Sequence, residues 1–252
     1  MTFDIMPGCE PFSHADGPHG VLVLHGLTGN PTSMRPLAER LAGAGFTVEL
    51  PRLPGHGTSL EDILTTDWSD WSGAALAAYD TLAASCTHVA VVGLSMGGGL
   101  AAFVAERRPG IGACVFINAQ VRTAAPELID GINEFIAGGV ETVESGNSSD
   151  VKKEGVVELS YGAWPLRPLL TMFKAFEDVH ENLGAIKAPC LVMTSREDHT
   201  VPSENSDDIV ARVAGPVEHI WLEDSYHVAT IDNDQELIES MTVAFLHRVF
   251  GQ

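Results

Sequence analysis

The chain has 252 residues, 45% hydrophobic and 19% charged, enough for one globular domain with an insertion and too apolar for disorder. Its 14 Lys and Arg stand against 34 Asp and Glu; the formal charge of −20 repels nucleic acid and anionic membranes and disfavours strongly anionic substrates. No apolar run approaches the ~18 residues that cross a bilayer, and Cys9, Cys86, Cys114 and Cys190 lack the paired spacing of a zinc or thioredoxin-type motif.

From the N-terminus, residues 1–7 carry Asp4 where a signal peptide wants Lys or Arg, and no apolar core follows. A cytoplasmic protein with free thiols is the expectation. Runs at 21–24, 47–50, 89–92, 114–117, 190–193 and 219–222 read as strands, mostly apolar throughout. That is the pattern of strands covered on both faces of a parallel sheet. Helical spacing falls between them, near 32–43, 69–84, 96–107, 203–213 and 234–249, with Pro31 before the first and Gly43 and Gly45 at its end. Such alternation predicts an open, mostly parallel α/β sheet whose functional residues gather at the carboxyl ends of the strands.

The alternation breaks between residues 119 and 187, where two amphipathic stretches replace a strand. Leu128, Ile132, Phe135 and Ile136 share one helical face, and Leu166, Leu169, Leu170, Phe173 and Phe176 share another. A polar segment over 145–150 joins them as a loop. The block reads as a helical cap inserted into a core made of 1–118 and 188–252. The alternative is two ordinary core helices, because periodicity does not say what covers a stripe.

Chemistry begins at Gly93-Leu94-Ser95-Met96-Gly97, between a buried strand and a helix rich in small residues. This is the G-x-S-x-G nucleophile elbow, in which a serine sits on a sharp turn too tight for neighbouring side chains. Ser95 is the candidate nucleophile and needs a base to take its proton. Of ten histidines, His227 lies on the loop after the last strand, where a Ser-acid-His chain order wants it. His180, His199, His219 and His247 fit less well. The acid belongs on the loop after the preceding strand, where Asp198 is the better candidate and Glu197 its rival. The backbone N–H groups of Leu27 and Met96 are the candidate oxyanion donors. His25 and His56 read as loop anchors.

Taken together, Glu10-Pro11-Phe12, His25-Gly26-Leu27-Thr28-Gly29, Leu50-Pro51-Arg52-Leu53 with Gly55-His56-Gly57-Thr58, the elbow, Glu197-Asp198-His199 and Ser225-Tyr226-His227-Val228 form a specific set. On these motifs the chain resembles the small bacterial carboxylesterases and monoacylglycerol lipases of the α/β-hydrolase superfamily. The resemblance implies the α/β-hydrolase fold with an inserted helical cap, and Ser95, Asp198 and His227 as a catalytic triad. It also implies Leu27 and Met96 as the oxyanion hole, with a compact cap over an acyl tunnel. Glu158 falls where a cap glutamate binds the glycerol head group, with Glu154 nearby; Leu27 departs from the Phe common after His-Gly. The expected activity is hydrolysis of monoacylglycerols and other short-to-medium neutral esters through an acyl-serine intermediate. No metal or organic cofactor is called for; the two apolar cap stripes suit an acyl chain, with their outer edges free for transient contact with a micelle or bilayer. The rivals are a general carboxylesterase or thioesterase, and a non-catalytic ligand-binding member of the fold. Serine at position 95 disfavours aspartate-nucleophile dehalogenases and epoxide hydrolases. Oligomeric state leaves no mark on the sequence.

Overall fold

The computed structural model describes residues 3–146 and 149–251. Met1, Thr2, Asn147, Ser148 and Gln252 lie outside the described residues, so the expectations for the extreme N-terminus and for the middle of the 145–150 loop concern residues that are not described.

A seven-stranded sheet organises the molecule. Its strands are β1 (Phe12–His14), β2 (His19–Leu24), β3 (Thr47–Leu50), β4 (His88–Leu94), β5 (Ala113–Ile117), β8 (Cys190–Ser195) and β9 (Val217–Leu222). Two further three-residue strands, β6 (Thr142–Glu144) and β7 (Ala163–Pro165), pair antiparallel outside it. The helices are α1 (Arg35–Gly43), α2 (Leu60–Ile63), α3 (Trp68–Ala83), α4 (Met96–Arg107), α5 (Pro126–Ala137), α6 (Leu166–Asn182), α7 (Glu204–Arg212) and α8 (Gln235–Phe250). Spatial order in the sheet is β1-β3-β2-β4-β5-β8-β9, all parallel except the β1–β3 pair.

The reason for this arrangement is visible strand by strand. Every residue of β2, β5 and β8 is buried, so each strand needs a cover on both faces. Successive side chains alternate sides. Leu22, Val91, Phe116 and Val192 point into a cluster shared with α3, α4 and α6, while Val21, Val92, Val115 and Leu191 meet α1 and α8. Helix starts follow local chemistry: the Asp67 side chain accepts the N–H groups of Ser69 and Asp70, and Asp70 returns a bond to the Asp67 N–H, opening α3. The six expected strands and five expected helices all form.

Four elements escaped the sequence pattern. Strand β1 is a short, largely exposed edge; α2 is a single turn capped by Ser59; and the β6–β7 pair puts strand into the 119–187 block, where only helices were expected.

The chain leaves β2 to form β3 on one side and returns to form β4 on the other, so β2 and β4 flank a topological switch point. Crevices open there at the carboxyl ends of strands. All three non-glycine residues with positive φ among those described lie at that end: Thr28 after β2, Ser95 after β4 and Asn118 after β5. Among the described residues no helix is long and apolar enough to cross a membrane.

Candidate active site

Ser95 occupies the turn from β4 to α4 with φ 57° and ψ −124°. Such a conformation costs roughly 1–3 kcal/mol and must be held by its surroundings. The Ser95 N–H donates to the Ile117 carbonyl at 3.1 Å, and the Ser95 carbonyl accepts from Gly98 at 2.9 Å and Gln120 at 3.0 Å. A methyl at Gly93 would collide with the Gly97 carbonyl, and one at Gly97 with the Leu24 carbonyl. The elbow is therefore glycine on both sides for want of space.

Leu27 and Met96 sit beyond the carboxyl ends of β2 and β4, which pair in register with Leu24 beside Gly93. Among the described residues neither backbone N–H has a protein acceptor. Met96 opens α4, where helix N–H groups are left unpaired by geometry and the helix dipole favours negative charge.

His227 lies on the loop between β9 and a 3₁₀ turn over Ala229–Ile231. Its Nδ1–H donates to Asp198 Oδ2 at 2.8 Å, and both side chains are buried. Asp198 is itself fixed, because its Oδ1 accepts the N–H groups of Thr200 and Val201, each at 2.8 Å. Burial pulls the His227 imidazole down. Asp198, through its charge and its hydrogen bond, outweighs that pull with help from Glu158 and Asp150, and the net shift is upward. With Nδ1 engaged, Nε2 is left for the cavity wall that His227 shares with Ser95. The Ser95 hydroxyl makes no direct hydrogen bond to His227 among the described residues; in ligand-free sites such bonds are often long and tighten with substrate.

The rivals are placed elsewhere. Glu197 is exposed and pairs with Lys152 at 3.4 Å. His199 bonds Asp150, His180 bonds Asp208 and His219 bonds Thr194. His25 accepts the Leu53 N–H at Nε2 and bonds the Gly26 carbonyl through Nδ1; burial holds its pKa down to about 4. His56 is likewise buried and pushed well below the usual histidine range. Both serve as neutral loop anchors.

Beside Ser95 and His227 opens a cavity of about 410 Å³, within the ~300–1,000 Å³ typical of small-molecule sites. Ile132, Trp164, Leu169, Met172 and Phe173, all from the segment between β5 and β8, supply apolar wall. Glu158 lies on the wall near the histidine, and burial pushes its carboxyl up to about 7 against the pull of His227. It stands against the loop after β2, since a carbon built on Gly29 would lie 2.8 Å from its Oε1. Glu154 is exposed. Among the described residues no three His, Cys, Asp or Glu are grouped as metal ligands.

Sequence reasoning missed the supports of this site. Asn118, at the end of β5, donates to Ser195 Oγ at 2.9 Å and to the His227 carbonyl at 2.8 Å. Fully buried Asp232 accepts the N–H groups of Tyr226, Lys152 and Lys153 at 2.9, 2.7 and 2.8 Å. Tyr161 bonds the Gly55 carbonyl at 2.8 Å and the Thr58 N–H at 2.9 Å. Asp150 receives both the acid loop and the histidine loop. Apart from the Tyr226–Asp232 bond, these bonds span 49 to 109 residues of chain, and no local pattern announces them.

A model of the alpha/beta hydrolase family matches residues 21–240. The chain belongs to that family. This hydrolase is 40% identical over 252 residues to the thermostable monoacylglycerol lipase of Bacillus sp. (strain H-257), covering 99% of this chain and 98% of that protein. It is 27% identical over 245 residues to a carboxylesterase of Bacillus subtilis (strain 168), covering 95% and 97%. Among solved structures, one reported for LipS and LipT, two metagenome-derived lipolytic enzymes, superposes with TM-score 0.92 at 38% identity, covering 97% of this hydrolase and all of that chain. The α/β-hydrolase fold and the family likeness read from the motifs are thereby borne out.

Proposed function

We propose that the protein is a serine hydrolase that cleaves monoacylglycerols and other short-to-medium neutral carboxylic esters. The observation that carries this reading is the 2.8 Å bond from His227 to Asp198, with His227 on a cavity that Ser95 and the apolar side chains of Ile132, Leu169, Met172 and Phe173 also line. Membership of the alpha/beta hydrolase family and likeness to a monoacylglycerol lipase along the whole chain support it.

The chemistry follows from the placement. His227 Nε2 takes the Ser95 proton as Oγ attacks the ester carbonyl. Negative charge on the tetrahedral oxygen is met by the Leu27 and Met96 N–H groups, each such donor being worth about 10²–10³ in rate. Collapse expels the alcohol, protonated by His227, and leaves Ser95 acylated. A water deprotonated by His227 then frees the carboxylic acid. Asp198 keeps the imidazole in one tautomer and stabilises its charged form.

Glu158, poised to accept or donate near neutrality, is assigned to the glycerol hydroxyls. Residues 119–187 are assigned as the cap on a core of 1–118 and 188–252. Exposed Leu128, Phe135 and Val143 at the rim of the cavity suit contact with a micelle or neutral bilayer.

Turnover of p-nitrophenyl butyrate tests the enzyme reading: Ser95→Ala is expected to lose about 10⁴-fold or more in kcat. A panel of mono-, di- and triacylglycerols tests the substrate. Diacylglycerols cleaved as fast as monoacylglycerols would make this a general carboxylesterase, and an unchanged preference in Glu158→Ala would remove Glu158 from the head-group site.

A further inference from the structure

Asp150 belongs to the long segment between β5 and β8, yet its side chain is only 5% exposed and turns towards two loops that belong to the sheet. Its Oδ2 accepts the backbone N–H of His199 at 3.1 Å and that of His227 at 3.2 Å. Its Oδ1 pairs with His199 Nδ1 at 2.8 Å, and its main-chain carbonyl accepts the Val228 N–H at 3.0 Å. One oxygen atom therefore ties the residue after Asp198 to His227 itself. The next residues extend the seam: Lys152 and Lys153 donate their N–H groups to Asp232, which also holds Tyr226. Lys152 Nζ reaches Glu197 at 3.4 Å and Asp224 at 3.1 Å, one on each loop.

On the hydrolytic reading above, we propose that Asp150 is a positioning residue of the reaction, a carboxylate of the inserted segment that sets the spacing between the acid loop and the base loop. Loops that meet only at side-chain tips drift, and a misplacement of about 1 Å can cost 10²-fold in rate. A shared, buried, charged acceptor removes that freedom, and charge-assisted bonds to N–H groups are about twice as strong as neutral ones. The carboxylate also adds to the negative field on the imidazole. The titratable groups facing His227 are Asp198 from the acid loop and Glu158 and Asp150 from the inserted segment; His199 pairs with Asp150, whose carboxylate raises the His199 pKa.

The test is Asp150→Asn, whose amide keeps one acceptor oxygen but loses the second acceptor and the charge. Active sites are counted by labelling Ser95 to completion with a fluorophosphonate, so unfolded protein does not enter kcat. The expected result on p-nitrophenyl butyrate is a fall in kcat of about 10- to 100-fold with KM held within about threefold. The acidic limb of kcat/KM moves to lower pH by about half a unit or more, because the imidazolium has lost a facing anion. Asp150→Glu, which returns the charge but not the position of the oxygen, is expected to restore the pH profile while kcat stays low. A merely structural role would lower the labelled fraction and leave kcat and the profile of the labelled enzyme unchanged, and that result overturns the proposal. Should Asp150→Asn give no labelled enzyme, His199→Gln at an exposed position carries the test. A kcat loss of about threefold or more at constant KM supports the coupling, and kcat within about 1.5-fold of wild type overturns it. The two readings fail separately: turnover surviving in Ser95→Ala sinks the hydrolytic assignment, whereas an indifferent Asp150→Asn leaves Ser95 dependence intact.

Discussion

Helices α5 and α6 flank the β6–β7 pair and both carry an apolar stripe, yet the molecule treats them in opposite ways. In α6 the stripe is core. Phe176 is fully buried, lies against Gly99 of α4 and meets the Trp68 ring edge-on at 5.3 Å. Arg107 ties the same surfaces together through Asp178 at 2.7 Å. In α5 only Ile132 is buried, while Leu128 and Phe135 are 54% and 52% exposed. The lesson is that an amphipathic period marks a face and leaves its cover undecided. Where the stripe is covered it contributes stability, and where it is open at a cavity rim it is available to substrate. The first turns of α6 belong to both worlds, because Leu169, Met172 and Phe173 line the cavity while Phe176 and Val179 pack below.

The sharpest way to break this contrast is Phe176→Ala. Removing a ring from a closed core is expected to cost about 3–5 kcal/mol, with a fall in Tm on the order of 10 °C in calorimetry. A loss near zero would mean that α6 is as loosely held as α5. Next comes Glu106, on the α4 surface beneath α6, whose Oε1 is buried with no partner among the described residues although Oε2 pairs with Arg107 at 3.0 Å. Burial pushes its carboxyl up to about 8 against the pull of Arg107, from an ordinary value of 4.5. The folded state therefore holds the proton more tightly than the unfolded one. Stability from this group is full below about pH 4.5, declines as pH rises and is gone above about 8. Glu106→Gln is expected to flatten that slope and to gain roughly 1–3 kcal/mol at pH 9, read by urea unfolding at several pH values. The smallest effect on the fold is expected at Phe135→Ser, within about 0.5 kcal/mol of wild type. Its mark should appear in function, as a loss of activity of about threefold or more on emulsified monoacylglycerol with hydrolysis of soluble p-nitrophenyl butyrate unchanged.

Much of the frame was legible before any coordinates. Strands β2, β4, β5 and β8 are apolar because two layers of helix cover them, and that composition survives in a single sequence. The elbow was legible because close backbone approach dictates Gly93 and Gly97. The positions of Asp198 and His227 followed from chain order, a topological constraint. Edge strand β1 was hidden because Ser13 and His14 face solvent and leave no alternation to read. Asn118, Asp150 and Asp232 were hidden for a different reason. Polar residues in loops look alike until tertiary bonds spanning 49 to 109 residues bury some of them. The polar stretch over 145–150 read as an ordinary loop, and its last residue turned out to be one of the most heavily bonded carboxylates near the site.

The central claim is that the ester's acyl group passes through Ser95. Quenched-flow mixing with p-nitrophenyl butyrate, followed by peptide mapping in a mass spectrometer, tests it directly. A butyryl adduct on Ser95 is expected that forms and decays at rates consistent with turnover and is absent from Ser95→Ala. An adduct on another residue, or turnover that persists in Ser95→Ala, would contradict it.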